Sequence, residues 1–416
     1  MSRGLALRSL ADLPRNARNS ILLEPLWAVF GTVVLYYAPL YLRSVGLSSA
    51  EIGLLGSVTL ALSFVCQAFA APITNRLGRK RTTLIGDLIS WSAPMFVWAL
   101  AQSLGAFVVA AALNAINRVV AVSWSLLVIE DVDAPQRPRV FGIMNLIVTF
   151  CGLLTPLLGL LITRYGVVPT LRVFYALGGV GMTAMFLWRN AITDETRSGE
   201  EAMRLHRDLS LGQSLGQTLR RVSGMRGHPG LVGITVFYVL TVFIEQLSLF
   251  QILFLGETLG FSAQTLSYVP VVAALVTALL YGVALPRLGR LPLGQTLVAV
   301  RALALVGAGA LLLVPPGHAA LMLAVVGVIG GATFLTQTYR DAALFARLPA
   351  GEGTADLYSA VQTLTLLCSI PAAGLAGLVF AASPRGLFAL IALLCVALLV
   401  LATGLARRET RAATPA

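Results

Sequence analysis

Long apolar runs, separated by short stretches with charges, prolines or glycines, follow one another along the whole chain. A helix needs about 20 apolar residues to cross the hydrocarbon core of a bilayer. Charged residues make up 12% of the chain, whereas a soluble domain carries roughly 25%, so a soluble fold is excluded. The runs predict an all-α membrane protein with twelve transmembrane helices, near residues 20–43, 50–73, 83–103, 106–130, 140–163, 170–188, 231–256, 264–286, 294–314, 319–345, 357–380 and 386–406.

The positive residues give a formal net charge of +12 and lie mostly on one side of this arrangement. They occupy the N-terminal tail, 76–81, 137–139, 189–226, 287–290, Arg347 and 407–411, and the other side keeps Arg43, Arg164, Arg172 and Arg385. Positively charged loops stay in the cytoplasm, so both termini are predicted to be cytoplasmic in a multi-pass protein of the cell inner (plasma) membrane. Such clusters attract anionic membrane lipids, and their distribution argues against nucleic acid as a partner.

The two halves of the chain share landmarks at a nearly constant offset. The pairs are 45–50 with 259–264, Pro135 with Pro349, and Pro156-x-x-Gly159 with Pro371-x-x-Gly374, at offsets of 214 or 215 residues. Parallel repeats of this kind place a binding site at their interface, near the bilayer midplane. We therefore predict a six-helix bundle over 1–188, a cytoplasmic loop over 189–230 and a second six-helix bundle over 231–416.

Four leucines of the loop could line one side of a helix that lies on the membrane: Leu205, Leu209, Leu215 and Leu219. A solvated linker is the alternative.

A short basic turn joins the second and third predicted helices, with a related run at 286–290. It reads Ala71-Pro-Ile-Thr-Asn75-Arg76-Leu-Gly78-Arg79-Lys80. This turn resembles the signature of the major facilitator superfamily of secondary transporters, bacterial type, Gly-x-x-x-Asp-(Arg/Lys)-x-Gly-Arg-(Arg/Lys). It departs from the signature at Ala71 and at Asn75. The resemblance implies the superfamily's fold and alternating access, and it leaves the substrate open.

The resemblance also implies a latch at this turn, in which the signature's arginine acts with an acid at the inner end of helix four. The gating residues predicted in this way are Asn75, Arg76, Gly78, Arg79, Glu130 and Asp131. In the family, the aspartate that Asn75 replaces helps to hold the outward-open state. We therefore expect a weaker bias toward that state here.

A second, weaker resemblance is to the fifth-helix motif of proton-coupled exporters, Gly-x-x-x-Gly-Pro-x-x-Gly-Gly. Residues 151–160 keep its proline, Pro156, and one glycine, Gly159. A kink at Pro156 that serves packing alone is the alternative interpretation.

Two ionisable residues lie deep within predicted helices, where a charge is costly unless it is paired or hydrated. At 1.5 Å per residue, Arg118 and Glu245 lie roughly 18 and 21 Å from the cytoplasmic side. The resemblance implies that helices one, four, seven and ten line a central cavity. Each of the two charges shares one helix face with polar residues: Asn114, Asn117 and Ser125 with Arg118, and Tyr238, Thr241 and Ser248 with Glu245. Helix ten carries a further polar set: Thr333, Thr336, Gln337, Arg340 and Asp341.

We interpret Arg118 as a group that binds substrate or balances charge, and Glu245 as the carrier of a coupling proton. A static Arg118–Glu245 pair that only holds the halves together is the alternative. The predicted substrate and coupling residues are Arg118, Glu245, Asn114, Asn117, Tyr238, Thr241, Gln337 and Trp124. Glu24, Arg340 and Asp341 are added as gating residues. A proton site near the bilayer midplane is the alternative for Glu24, and the other two could simply extend to the membrane surface.

The sequence favours a transporter over an enzyme. The four cysteines lie within apolar runs, and the three histidines have no ligand spacing, so no catalytic residue, metal or cofactor is predicted.

Taken together, these features favour a monomeric secondary active transporter that exports amphipathic compounds by proton antiport. A symporter or facilitator that imports an anionic or zwitterionic metabolite is a second hypothesis. A membrane sensor or lipid-handling protein of the same fold, without transport, is a third.

Overall fold

The structure, a computed structural model, describes residues 10, 12–133, 136–205, 229–283, 285–288, 291–347 and 354–413. Within these ranges the chain forms helices and no strands, and twelve helices are long and apolar enough to span a membrane. We number them α1 (Arg15–Ser44), α2 (Ser49–Leu77), α3 (Arg79–Leu100), α4 (Leu104–Ile129), α5 (Arg139–Tyr165), α6 (Val167–Ile192), α7 (Leu231–Thr258), α8 (Ala263–Leu280), α9 (Leu293–Leu313), α10 (Ala319–Phe345), α11 (Ala360–Ala382) and α12 (Pro384–Arg407).

The predicted fold class is therefore confirmed, and each predicted helix coincides with one observed helix. Several landmarks of the sequence lie outside the described residues: Leu209, Leu215, Leu219, Pro135, Pro349 and 289–290. A short connecting helix, Arg197–Leu205, follows α6.

Several membrane helices are locally irregular. The helix of α5 stops after Gly152 and restarts at Thr155, because Pro156 has no backbone N–H to continue the ladder. Helix α4 is interrupted at Ile116. Helix α3 contains a π-helical turn, Leu88–Ser92, and α7 ends in another, Phe254–Thr258. Such turns are frequent at functional sites.

The chain forms two compact units, which we describe separately. The first comprises 1–38, 58–154 and 167–217. In it, α3 packs against α4 and α6, and an apolar cluster from α1, α4 and α5 includes Ile21, Val128 and Met144. The second unit comprises 39–57, 155–166 and 218–416, with α7 packed on α11 and α9 packed on α10 and α12.

The second unit contains the ends of α1, α2 and α5 that are remote from the basic turn, within residues 39–57 and 155–166. We call the contacts of these helix ends with α7, α8 and α11 the distal seam. Helices α2 and α11 approach closely because glycines face each other: a Cβ on Gly53 would lie 2.8 Å from the Cα of Gly377. The Ser57 hydroxyl accepts a hydrogen bond from the backbone N–H of Gly374 (2.9 Å). At the α5–α8 contact, the Thr155 hydroxyl donates to the Ser267 carbonyl (2.9 Å).

One ion pair of the distal seam joins two residues at the offset of the predicted repeat. Arg43 lies in the last turn of α1 and Glu257 lies near the end of α7, 214 residues later. Their side chains form an ion pair of 2.8 Å. Positions that the predicted repeat makes equivalent therefore carry opposite charges and contact each other. Both side chains are about two-fifths exposed, so the pair contributes little stability by itself.

Candidate transport site and gating contacts

A cavity of about 360 Å³ lies inside the second unit, among α7, α9, α10 and α12. Its walls are mostly apolar, but a few polar side chains converge on it, which is the usual composition of a ligand site. The polar residues that line it are Thr241, Glu245, Ser248, Gln251, Arg301, Thr333, Thr336 and Gln337.

Glu245 of α7 places its carboxylate at this cavity, with 30% of the side chain exposed. One guanidinium nitrogen of Arg340 lies 3.5 Å from the carboxylate, and the Gln337 amide donates a long hydrogen bond of 3.4 Å to it. Both contacts are longer than typical charge-assisted hydrogen bonds. Glu245 is thus paired loosely, and its partner belongs to the same unit.

Arg340 of α10 is buried and belongs to a network of contacts that spans α7, α10 and α11. Its Nε donates to the Asp341 carboxylate (3.0 Å), and its guanidinium carbon lies 4.1 Å from the centre of the Tyr238 ring. The Tyr238 hydroxyl accepts a hydrogen bond from the Gln362 amide of α11 (2.9 Å). The structure therefore places Arg340, Asp341 and Tyr238 in one network with Glu245, although Arg340 and Asp341 were predicted to serve a gate.

Thr241 lines the cavity, and its hydroxyl donates to the Phe237 carbonyl of its own helix (2.8 Å).

Arg301 of α9 lines the same cavity and was not predicted from the sequence. It is 5% exposed, and its guanidinium carbon lies 5.9 Å from the centre of the Phe237 ring. The signal was present, because Arg301 is a single charge inside the apolar run 294–314. The resemblance implied cavity positions on helices one, four, seven and ten, so the predicted site did not extend to helix nine.

The predicted polar face of α4 contacts α3 through its two asparagines. The Asn114 amide donates to the Ser90 carbonyl (2.8 Å), and Asn117 accepts from the Trp91 indole N–H (3.2 Å). Both hydrogen bonds are made to residues of the π-helical turn of α3, and they connect this turn to the part of α4 where the helix is interrupted. Trp124 packs against the apolar cluster of the first unit.

Arg118 follows immediately after these asparagines and is partly buried. Within the described part of the chain, its guanidinium has no hydrogen bond or ion pair.

The basic turn is built around Gly78, whose φ of +84° is readily adopted by glycine. Arg79 is buried, and its guanidinium contacts the Glu130 carboxylate at 3.0–3.3 Å and the Asn75 amide oxygen at 3.0 Å. Of the two acids offered by the sequence, Glu130 is therefore the one whose contact with Arg79 the structure records. Arg76 points outward and is exposed.

Asp131 lies next to Glu130 on the exposed side of the turn. Partial burial and then the charge of Glu130 raise the pKa of the Asp131 carboxyl, and Arg197 opposes this shift.

Two residues that follow α6 complete this turn. The Glu195 carboxylate accepts from the backbone N–H groups of Arg79 (2.9 Å) and Lys80 (3.0 Å), at the start of α3. A carboxylate there satisfies unpaired donors and interacts favourably with the helix dipole. The Thr196 hydroxyl donates to Glu130. Neither residue was predicted from the sequence, because both fall in the segment assigned to the loop.

A second buried group of charges lies deeper in the first unit. Asp87 of α3 pairs with Arg189 of α6, and each side chain is 5% exposed. Glu24 of α1 is also buried, within electrostatic range of both. Because α1 begins at Arg15, Glu24 lies deeper in its helix than the predicted start near residue 20 implied.

Glu130→Gln is expected to lower the free energy of unfolding by about 1.5–3 kcal/mol, because it removes the charge from the hydrogen bonds of buried Arg79. The matched control is Asp131→Asn, an exposed neighbour, which should change stability by less than about 0.5 kcal/mol. Thermal unfolding of the purified protein in detergent measures both. Equal losses in the two variants would show that Glu130 is not the principal partner of Arg79.

Over the described ranges these features define a class of protein: a multi-pass membrane protein with twelve helices long enough to span the bilayer and a partly polar internal cavity. A sequence model of the Major Facilitator Superfamily matches residues 26–340. The chain belongs to this superfamily.

Among curated proteins, the quinolone resistance protein NorA of Staphylococcus aureus is 24% identical over 167 residues. The match covers 40% of this chain and 42% of NorA, which is less than half of either protein.

Several solved structures with the same fold are named as transporters. A variant of the nucleoside transporter NupG has a TM-score of 0.71 at 13% identity, over 94% of this chain and 98% of that one. A variant of the peptide transporter POT also gives 0.71, at 15% identity, over 94% of both chains. A bacterial homologue of the human lysosomal transporter Spinster gives 0.63 at 17% identity, over 99% of this chain and 98% of that one. At such identities the likeness shows the fold alone.

Proposed function

We propose that this transporter exports amphipathic compounds in exchange for protons, and that Glu245 carries the proton. The observation that carries the proposal is the loose pairing of Glu245 with Arg340 at the cavity (3.5 Å). If Glu245 takes up a proton, Arg340 still keeps Asp341 at 3.0 Å and the ring of Tyr238. Protonation of Glu245 therefore leaves Arg340 with a charged partner and an aromatic contact.

The two sets of contacts at the helix ends support alternating access. With both termini in the cytoplasm, as the charge bias predicts, the distal seam faces outward and the Arg79–Glu130 contact faces inward. We propose that the contacts of each set break or form when the corresponding side opens or closes. Binding at the cavity then alternates between the two sides of the membrane.

The partial likeness to NorA favours export over import. A protein that confers resistance to a drug is expected to lower the amount of that drug in the cell. The direction of transport in this chain rests on that likeness and is part of the proposal.

Glu245→Gln is expected to abolish proton movement driven by a lipophilic cationic dye in everted membrane vesicles, because the amide cannot release a proton. The matched control is Glu201→Gln, the same change at an exposed acid of the connecting helix. It should retain the wild-type signal. Dye-driven proton movement in Glu245→Gln at the wild-type rate would exclude Glu245 as the carrier.

A second function, transport of an anionic solute held by Arg118, is favoured by one observation: this arginine lies within α4 and has no bonded partner among the described residues. The same vesicles test it. Arg118→Met should then abolish uptake of a small organic anion and leave dye transport unchanged, whereas loss of dye transport in Glu245→Gln supports the first function.

A further inference from the structure

Arg301 is a buried charge that packing does not explain. It lies eight residues into the apolar helix α9, and its Nε is buried with no hydrogen-bond partner. Across the described ranges, no carboxylate lies within ion-pair distance of its guanidinium. An uncompensated charge in this position is costly. A residue that served stability would be paired, so Arg301 is available to bind something else.

The cavity that Arg301 lines also contains the opposite charge. Glu245 reaches the same space, and its partner Arg340 is held by Asp341 and Tyr238 as well. Arg301 lies within electrostatic range of Glu245. One guanidinium and one carboxylate therefore face a common volume of about 360 Å³.

The remaining walls are apolar. They include Leu311 of α9, Ile329 of α10, and Phe388 and Ile391 of α12. Apolar surface of this kind binds the hydrocarbon part of a ligand, while the few polar groups fix its orientation.

We infer that this cavity binds zwitterionic amphipathic compounds, with the ligand's carboxylate on Arg301, its ammonium group on Glu245 and its apolar part on the α9, α10 and α12 walls. The inference deepens the proposed function, because it names the ligand class for the same site. It also supplies the exchange that antiport requires: an ammonium group and a proton on Glu245 exclude each other. A guanidinium binds a carboxylate through two parallel hydrogen bonds, which gives the site its specificity.

Four ligands with one apolar group test the inference. They are 2-naphthylalanine (zwitterion), its methyl ester (cation), its N-acetyl derivative (anion) and the N-acetyl methyl ester (neutral). Binding to the purified protein in lipid nanodiscs is measured by calorimetric titration at pH 6, where the amino group of the methyl ester is protonated. The zwitterion should bind about tenfold or more tightly than the cation or the anion, since each of these loses one charged hydrogen-bonded contact.

Substitutions at Arg301 and Glu245 show which residue binds which charged group of the ligand. Arg301→Met should remove the preference for the zwitterion over the methyl ester, and Glu245→Gln should remove the preference for the zwitterion over the N-acetyl form. Arg301→Lys keeps the charge without the two-pronged geometry and should retain part of the preference. The matched control is Arg172→Met, because Arg172 of α6 also has an unpartnered Nε but lies in the first unit. Its affinities should be unchanged.

Stability separates a binding role from a structural one. Without ligand, Arg301→Met should unfold at a higher temperature than the wild type, because an unpaired buried charge has been removed. A variant that is less stable and keeps all four affinities would overturn the inference. Equal wild-type affinities for the zwitterion and the methyl ester would also overturn it. Binding is measured without transport, so proton exchange that still depends on Glu245 would leave the proposed function intact.

Discussion

Gly377→Val is expected to reduce the initial rate of transport by about tenfold or more. In the distal seam, any Cβ on Gly377 would contact the Ser49 carbonyl oxygen and would lie 2.9 Å from the Cα of Gly53. These neighbours are backbone atoms, so they cannot move away as the end of a flexible side chain can. Overpacking of this kind costs about 1–3 kcal/mol, and a difference of that size shifts a two-state equilibrium by about one to two factors of ten.

The seam explains why the loss should exceed an ordinary packing defect. A transporter that alternates must be able to close this side in each cycle, and α2 and α11 cannot meet with a branched side chain between them. Gly309→Val is the matched control, because Gly309 also lies in a membrane helix and has nothing within 4 Å of the position that a Cβ would occupy. Transport is compared at equal protein in the membrane. Wild-type rates in Gly377→Val would show that close contact at the seam is not needed.

Asp87→Asn is expected to lower the free energy of unfolding by about 3–5 kcal/mol, because it leaves Arg189 charged and buried without its carboxylate. Both side chains of the pair are 5% exposed, so water cannot replace the lost partner. Glu24 lies nearby and carries the same sign as Asp87, so part of the loss is offset where Glu24 is ionised. Thermal and chemical unfolding in detergent measure the change.

Two controls fix the interpretation of that loss. The double variant Asp87→Leu with Arg189→Met removes both charges and should recover most of the stability. Arg15→Ala breaks a pair with Asp194 whose side chains are 57% and 62% exposed. It should cost at most about 1 kcal/mol. If the double variant is less stable than Asp87→Asn, the pair contributes favourably as a unit and desolvation does not dominate its energetics.

The sequence allowed the fold to be predicted because spanning helices need long apolar runs, and each of the twelve runs satisfies that need by itself. The Arg79–Glu130 contact could also be narrowed to two candidate acids from the sequence. The signature identifies the arginine, and the helix prediction places two acids at the end of α4. Choosing between Glu130 and Asp131 required coordinates, because adjacent residues on a helix point in different directions.

Other residues of the site and of the basic turn could not be predicted from the sequence. Glu195 and Thr196 lie more than 110 and about 65 residues from the groups they bond, and a polar segment after a helix gives no signal of such contacts. Arg301 is a single charge without a periodic pattern, so its inward orientation follows only from how α9 packs against α10 and α12. Asn114 and Asn117 lie on the polar face that was predicted for α4, but their amide groups form hydrogen bonds to α3.

The measurement that tests the central claim most directly compares accumulation with exchange in proteoliposomes that contain purified wild type or Glu245→Gln. An imposed pH gradient should drive the wild type to accumulate a dye substrate against its concentration gradient. At a saturating substrate concentration, which offsets the weaker binding caused by loss of the carboxylate, Glu245→Gln should still exchange labelled for unlabelled substrate without a pH gradient. It should fail to accumulate substrate when the gradient is imposed. Accumulation by Glu245→Gln at the wild-type level would contradict the claim that Glu245 carries the coupling proton.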